Sequence, residues 1–349
     1  LSIFLTGATG FLGGQLLKNL LRDTEEDLYI LARDVEKAEQ LVQSFPPSEQ
    51  SRVHIVEGDV TAPRFGMADD AFNQLIGKVS LVYHLAALVR FDEDLRDLIF
   101  SINYDGTQYV LDASVALGAK RFIYVSTAYT VGKAERGLEQ LYPLDHPTHN
   151  PYEESKVKSE HLVFHYADKM DVSIFRPAII VGDSRTGEAD SKFTLYGFMR
   201  ALDVFKRRVA LRNPDATYRI VGNEQATSNL VPVNYVADIL AIAAEKAEPN
   251  KVYNITNPNP ATNFDIFKMI RDALTFEQLD IIRPNERHDL SELEERMNAT
   301  ISVFDPYLSR DFQFDDDNTQ ALLQGTSVRH LQLDDETLEM IIRAYFKTK

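Results

Sequence analysis

Thr6-Gly7-Ala8-Thr9-Gly10-Phe11-Leu12-Gly13 decides how this chain is read. Ahead of it, Ser2 to Thr6 is a short run suited to a buried strand; behind it, Leu12, Leu16, Leu17, Leu20 and Leu21 recur at helical spacing. The glycines therefore sit at a strand-to-helix junction. Amides at a helix start have no intrahelical acceptor and the helix dipole favours negative charge there, so such a turn can hold a phosphate without a cationic side chain. Glycine, lacking Cβ, permits the tight turn, the close approach of a pyrophosphate and close helix-on-strand packing. The spacing Gly7, Gly10, Gly13 departs from the commoner Gly-x-Gly-x-x-Gly, and taken alone it also fits a turn with a purely structural duty.

Working outward, Leu28 to Ala32, Val53 to Val56, Ser80 to Leu85, Arg121 to Val125 and Val172 to Phe175 read as five more buried strands. Segments long enough for a crossover separate most of them, as around Asp94 to Leu117 and Glu153 to Lys169. Such alternation predicts an α/β fold, a doubly wound parallel sheet that holds ligands at the carboxyl ends of its strands. Thr6, Arg33, Asp59, Ala86 and Ser126 all fall at or just beyond those ends. Arg33 follows the second strand, next to the expected adenosine ribose, where an arginine accepts the 2′-phosphate of NADP and an acid binds the 2′-hydroxyl of NAD. Arg33 favours NADP over NAD; the alternative is a solvated Arg33 with Asp34 as the ribose ligand.

Two further stretches carry chemistry: Ser126-Thr127, and Tyr152 with Lys156 four residues later. Residues four apart on a helix share a face, and Asn150-Pro151 marks a helix start immediately before them. On spacing alone this is equally a surface pair.

Together these residues carry a family resemblance. The chain resembles an extended short-chain dehydrogenase/reductase over its first two thirds, through the glycine turn, Gly58-Asp59-Val60, His84-Leu85-Ala86-Ala87, Asn103 with Gly106-Thr107, Tyr124-Val125-Ser126-Thr127-Ala128, Tyr152-x-x-x-Lys156 and Arg176-Pro177. Within that superfamily it is most similar to the thioester reductase-like branch, which includes fatty acyl-CoA reductases and terminal reductase domains of carboxylic acid reductases and peptide synthetases. The pointers are the glycine turn, Val125-Ser126-Thr127-Ala128-Tyr129, and Val181 to Glu188. The resemblance implies a Rossmann domain and a cofactor site of Thr6, Gly7, Thr9, Gly10, Phe11, Leu12, Gly13, Arg33, Asp59, Val60, Ala86, Ala87, Asn103, Val125, Lys156 and Pro177. In it, Asp59 would face the adenine, Ala86 and Ala87 would run along the cofactor, and Arg176-Pro177 would lead past the nicotinamide.

The expected chemistry follows from the side chains. Hydride arriving at a carbonyl carbon leaves negative charge on the oxygen, so a proton donor and a second hydrogen bond are needed within about 3 Å of it. Tyr152 is the expected donor, Lys156 the ammonium that would stabilise its phenolate and hold the nicotinamide ribose, and Thr127 the second hydrogen bond; Ser126 should point to the opposite face. The chain has no cysteine, so a thioester would be reduced by direct hydride attack rather than through a cysteine acyl-enzyme. The expected substrate is a small carbonyl compound, preferentially an acyl thioester, free as acyl-CoA or on an acyl carrier protein. A ketone or sugar reductase, an epimerase or dehydratase, and a non-catalytic dinucleotide sensor are the alternatives.

A formal charge of -16 argues against nucleic-acid binding, which needs a basic face. No apolar run approaches the ~18 residues of a membrane-spanning helix, and the chain opens on a strand rather than a signal peptide. A soluble, cytoplasmic protein is therefore expected, while Leu1 in place of a methionine leaves room for an upstream domain. The Rossmann domain is expected over 1–182, completed by about 223–258, where Leu230 to Asp238 and Val252 to Thr256 return to it. The smaller, mainly helical C-terminal substrate domain would take 183–222 and 259–349. Candidate substrate residues are Arg185, Glu188 and Arg208, with Arg185 and Glu188 alternatively paired to each other on a loop. Between Phe193 and Val209, Leu195, Phe198, Met199, Leu202 and Phe205 form a stripe that lines either an acyl tunnel or the core. Lys206, Arg207, Arg208 and Arg212 follow it as cations for a coenzyme A or phosphopantetheine phosphate, or simply for the helix dipole. His161 and His165, one turn apart, lack a third ligand, so no metal is expected; His84 reads as a packed or cofactor-flanking imidazole.

Overall fold

A computed structural model describes residues 2–189, 194–209, 213, 215–308 and 310–347. In chain order the main elements are β1 (Ser2–Thr6), α1 (Phe11–Asp23), β2 (Leu28–Ala32), α2 (Val35–Gln43), β3 (Val53–Glu57), β4 (Val79–His84), α3 (Gly106–Leu117), β5 (Arg121–Val125), α4 (Pro151–Phe164) and β6 (Asp171–Pro177). There follow β7 (Ile179–Val181), α5 (Leu195–Arg208), β8 (Tyr218–Val221), β9 (Leu230–Pro232), α6 (Val233–Lys246), β10 (Lys251–Ile255), α7 (Asn263–Leu274), β11 (Leu279–Ile282), α8 (Glu292–Ile301), α9 (Asp317–Leu323) and α10 (Asp335–Lys347).

The chain divides into two compact units. The first comprises Leu1–Ala178, Val233–Ile255 and Phe314–His330. Its centre is a seven-stranded sheet in the order β10-β6-β5-β4-β1-β2-β3, parallel throughout. All the strands expected from the sequence are present. Each central strand is apolar on both faces because helices cover both, as the fully buried Phe4, Leu5, Val82, Phe122 and Ile174 illustrate. One core cluster joins Phe4, Val82, Val110, Leu111, Phe122, Tyr124, Val163 and Val172, tying α3 and α4 to the sheet.

Residues 314–330, expected in the smaller domain, instead belong to this first unit. The Glu139 carboxylate accepts hydrogen bonds from the backbone N–H groups of Asn254 (2.9 Å) and Asn318 (2.6 Å), joining β10 to the first turn of α9. The Asn318 side-chain amide donates to the Val252 carbonyl at 2.9 Å and the Thr319 hydroxyl to that of Asn254 at 2.8 Å.

The second unit comprises Ile179–Pro232, Thr256–Gln313 and Leu331–Lys349. Two small parallel pairs, β7 with β9 and β8 with β11, stand among helices α5, α7, α8 and α10. Among the described residues no helix is long and apolar enough to cross a membrane.

Candidate active site

The glycine turn is built as its spacing requires. Gly7 has φ +75°, and a Cβ there would lie 2.8 Å from the Ala86 nitrogen. A Cβ on Gly13 would lie 2.1 Å from the Gly7 carbonyl oxygen and 2.8 Å from Ala8 Cα, so helix and turn can pack only without it. Gly10 caps α1 with no side-chain hydrogen bond, which leaves the first-turn amides of Phe11, Leu12 and Gly13 without a side-chain acceptor from the cap. Gly10 is exposed and Thr9, Phe11 and Leu12 are half-buried, so the cradle is open to solvent. This donor set fits a dinucleotide pyrophosphate.

Beyond β2, the Arg33 side chain is 71% exposed and its guanidinium lies 3.8 Å from the Asp59 carboxylate. The other Asp59 oxygen accepts from the Thr61 N–H and hydroxyl, each at 2.8 Å, in a turn that fixes the carboxylate. Asp34, the alternative ribose ligand, is engaged as the N-cap of α2, accepting from the Lys37 N–H at 3.0 Å. Arg33 and Asp34 are both exposed at this strand end, and Arg33 is the one that carries a positive charge.

A buried polar chain runs from the turn into the sheet. The Thr107 hydroxyl donates to the Asn103 carbonyl at 2.6 Å, so at its 3.0 Å contact with His84 Nε2 it must accept, and His84 carries its proton on Nε2. His84 Nδ1 then accepts from the Thr6 hydroxyl at 2.7 Å, and that hydroxyl accepts from the Ala86 N–H at 3.2 Å. Burial, reinforced by the nearby Lys156 charge, drives His84 down to about 3, so it is a neutral structural link. Asn103 lies in a π-helical turn, Ser101–Asp105, and is 1% exposed. Its amide donates to the Leu88 carbonyl (3.1 Å) and Ser155 Oγ (3.0 Å), and its oxygen accepts from the Leu88 N–H (2.7 Å). The Asn103 side chain, expected at the cofactor, holds the loop after β4 against α4.

Helix α4 begins where Asn150-Pro151 indicates: Asn150 is the N-cap and accepts from the Glu153 N–H at 3.0 Å. This places Tyr152 in the first turn and Lys156 in the second, both buried. The Tyr152 phenol neighbours Thr127, whose hydroxyl accepts from the Tyr129 N–H at 3.2 Å. Phe91, on the loop after β4, packs its ring edge-on to Tyr152 at a centroid distance of 5.9 Å. Lys156 Nζ donates to the Val125 carbonyl at 2.9 Å and the Tyr124 hydroxyl at 3.2 Å, and sits 4.7 Å from the centroid of the Tyr124 ring.

The electrostatics differ from the simple expectation of an ammonium acidifying the phenol. Burial pushes the Tyr152 phenol above its ordinary value, the Glu153 charge adds to that, and Thr127 opposes it. Burial likewise pulls Lys156 down to about 7, against the pull of the Glu160 carboxylate. The residues that hold the ammonium, Tyr124 and Val125, both come from β5.

Arg176, expected near the nicotinamide, is 1% exposed and works as an anchor. It donates through Nε to Glu160 on α4 at 2.8 Å, and to the carbonyls of Leu138 (2.9 Å) and Gln140 (3.0 Å). His161 bonds to the Tyr142 carbonyl through Nε2 at 2.6 Å.

In the second unit, Arg185 is engaged by Asp183 rather than by Glu188: its Nη2 donates to Asp183 Oδ2 at 2.7 Å. Glu188 contributes its backbone to the same loop, its carbonyl accepting from the Asp183 N–H at 3.0 Å. Lys206 donates to the Leu274 carbonyl at 2.5 Å and to Thr275 at 3.0 Å, Arg207 pairs with Asp203, and Arg208 is exposed in the last turn of α5. Two of the expected phosphate-binding cations are therefore already engaged; Phe193 and Arg212 lie outside the described residues. Leu195 and Phe198 line an apolar chamber of about 50 Å³ together with Ile220, Leu230, Phe267 and Ile270, while Met199 and Leu202 face the core.

Comparison with known proteins places this geometry. The male sterility protein family, an NAD-binding family, matches residues 5–240. Fatty acyl-CoA reductase wat of Drosophila melanogaster is 28% identical over 72% of this chain and 56% of its own length. Human fatty acyl-CoA reductase 1 is 26% identical over 75% of this chain and 58% of its own. The chain thus spans little more than half the length of these relatives. In structure, the terminal R domain of the myxalamid PKS-NRPS biosynthetic pathway superposes with a TM-score of 0.79 at 22% identity, covering 99% of this chain and 90% of that one. An NAD complex of UDP-glucuronic acid 4-epimerase from Bacillus cereus follows the same fold at a TM-score of 0.71 and 19% identity, covering 100% and 97%. With the match to residues 5–240 and the residue pattern it carries, the chain belongs to the male sterility protein family, in the thioester reductase-like branch of the extended short-chain dehydrogenase/reductases.

Proposed function

We propose that this chain is an NADPH-dependent reductase of acyl thioesters, with Tyr152 as proton donor. The observation that carries the reading is the grouping of Thr127, Tyr152 and Lys156 about the carboxyl end of β5, in the same sheet whose β1 feeds the open glycine turn. The turn amides and Arg33 would hold the dinucleotide, the latter at a 2′-phosphate. Bound there, the reduced nicotinamide supplies hydride to the substrate carbonyl carbon.

The chain's own residues account for the rest. Tyr152, kept protonated by burial, donates its proton to the carbonyl oxygen as charge builds on it, and Thr127 shares the hydrogen bonding of that oxygen. Lys156, fixed by Tyr124 and Val125, does not set the acidity of the resting phenol but would stabilise the phenolate left once the proton has passed to the substrate. With a thioester the product of this step is a hemithioacetal. Its collapse breaks the carbon–sulfur bond, moves the hydroxyl proton to sulfur and releases aldehyde and thiol. No cysteine is available for a covalent thioester intermediate.

The fatty acyl-CoA reductases and the gramicidin synthase subunit of Brevibacillus parabrevis, 28% identical over 75% of this chain, support a thioester in preference to a nucleotide sugar. The test follows NADPH absorbance with a panel of acyl-CoAs, aldehydes, ketones and nucleotide sugars, using the native chain and Tyr152→Phe. Consumption with acyl-CoAs, lost in the variant while NADPH still binds, is expected. Consumption with ketones or sugars alone would refute the substrate class, and an active Tyr152→Phe would refute the donor.

A further inference from the structure

Among the described residues, two buried side-chain hydroxyls have no hydrogen-bond partner, those of Ser126 and Tyr218. Tyr218 lies on β8, packed against the rings of Phe205 and Phe276 at centroid distances of 5.1 and 6.1 Å, with no reacting group among these neighbours. Ser126 is placed differently. It is 4% exposed and stands between Val125, whose carbonyl holds Lys156, and Thr127, a neighbour of Tyr152. Its own N–H is spent on the Phe175 carbonyl at 2.7 Å, which pins the backbone at this point to β6.

A buried hydroxyl without a partner is costly relative to a satisfied one, and such groups are rare enough that each calls for a reason. Alanine would remove that cost with no loss of a contact inside the protein. The hydroxyl therefore contributes nothing to the folded chain by itself. Hydride transfer requires the reactive ring of the dinucleotide to lie within bonding reach of the carbonyl that Thr127 and Tyr152 address. Ser126, adjacent to both the ammonium's anchor and the phenol's neighbour, is one residue away from that place.

We propose that Ser126 is a positioning residue for the cofactor, its hydroxyl hydrogen-bonding the nicotinamide half of the dinucleotide. This rests on the dinucleotide reading above. It extends the site beyond Thr127, Tyr152 and Lys156 and reverses the expectation that Ser126 faces away from the chemistry.

The test is Ser126→Ala, read by thermal unfolding without ligand and by calorimetric titration with NADP⁺ and with 2′-phospho-ADP-ribose, which lacks the nicotinamide; NAD⁺ and ADP-ribose form a parallel pair. The melting temperature without ligand should be unchanged or raised. NADP⁺ should bind about 3- to 10-fold more weakly, the loss of one neutral hydrogen bond, and 2′-phospho-ADP-ribose as before. An unchanged affinity for both, an equal loss for both, or a lower melting temperature without ligand would each overturn the assignment. Native chain that binds neither member of either pair would instead overturn the dinucleotide reading itself.

Discussion

Tyr124→Phe isolates what holds the ammonium of Lys156. The substitution keeps the ring, and with it the 4.7 Å cation–π contact, but removes the oxygen that accepts from Nζ at 3.2 Å; the Val125 carbonyl at 2.9 Å remains. A hydrogen bond to a charged group contributes about 1.5–3 kcal/mol, and each 1.36 kcal/mol of lost preference for the charged form lowers a pKa by one unit. Lys156 already sits at about 7 because burial disfavours its charge, so the variant should bring it about one to two units lower. Of its titratable surroundings, Glu160 favours the charge, while His84 is held neutral by burial. On the proposed mechanism the protonated lysine is the working form, so activity should be present below this pKa and fall as pH rises through it. In Tyr124→Phe that fall should move to lower pH by about one to two units, with kcat/KM within a few-fold of the native value well below it. The assay is kcat/KM for NADPH oxidation between about pH 5 and 9, which reports the free enzyme. A limb that stays in place, or moves toward alkali, refutes the argument that Tyr124 supports the ammonium.

Three other outcomes can be measured. Arg176→Met should destabilise the chain by about 3–5 kcal/mol by leaving the buried Glu160 carboxylate uncompensated, and adding Glu160→Leu should restore most of it; because the chain has no tryptophan, urea unfolding would be followed by circular dichroism. A loss below about 1 kcal/mol would mean the pair is not the anchor of α4 described above. Gly13→Ala, whose Cβ would meet the Gly7 oxygen at 2.1 Å, should distort the turn and weaken NADP⁺ binding at least about 10-fold in a titration, since the backbone must move to admit it; native affinity would show that the turn does not carry the pyrophosphate. Arg33→Ala should lower NADPH affinity about 10-fold or more and leave NADH binding nearly unchanged; an unaltered preference removes Arg33 from the 2′-phosphate site.

Much of the first unit was legible because its signals are local. Apolar runs gave the strands, the glycines gave the turn, and Asn150-Pro151 gave the start of α4, each through interactions reaching only a few residues along the chain. What escaped depends on partners far away in sequence. The attachment of 314–330 rests on Glu139 and Asn254, and nothing in the local pattern of 314–330 announces it. Helical spacing pairs Lys156 with Tyr152, yet its direct contacts come from β5. Arg176 and Asn103 carry motif signals, and their side chains are fastened to distant parts of the chain, which a motif does not announce. The unsatisfied Ser126 hydroxyl could be seen only once every neighbour was placed.

The seven-stranded sheet is assembled out of sequence order, and this governs how the protein must be made. Strand β6 is complete at Pro177, but the strand that covers its free side, β10, ends at Ile255. While the intervening residues emerge from a ribosome, β6 presents an unpaired edge that invites pairing with another nascent chain. Synthesis slowed within that stretch, or truncation before residue 255, should therefore yield aggregates rather than a smaller working enzyme.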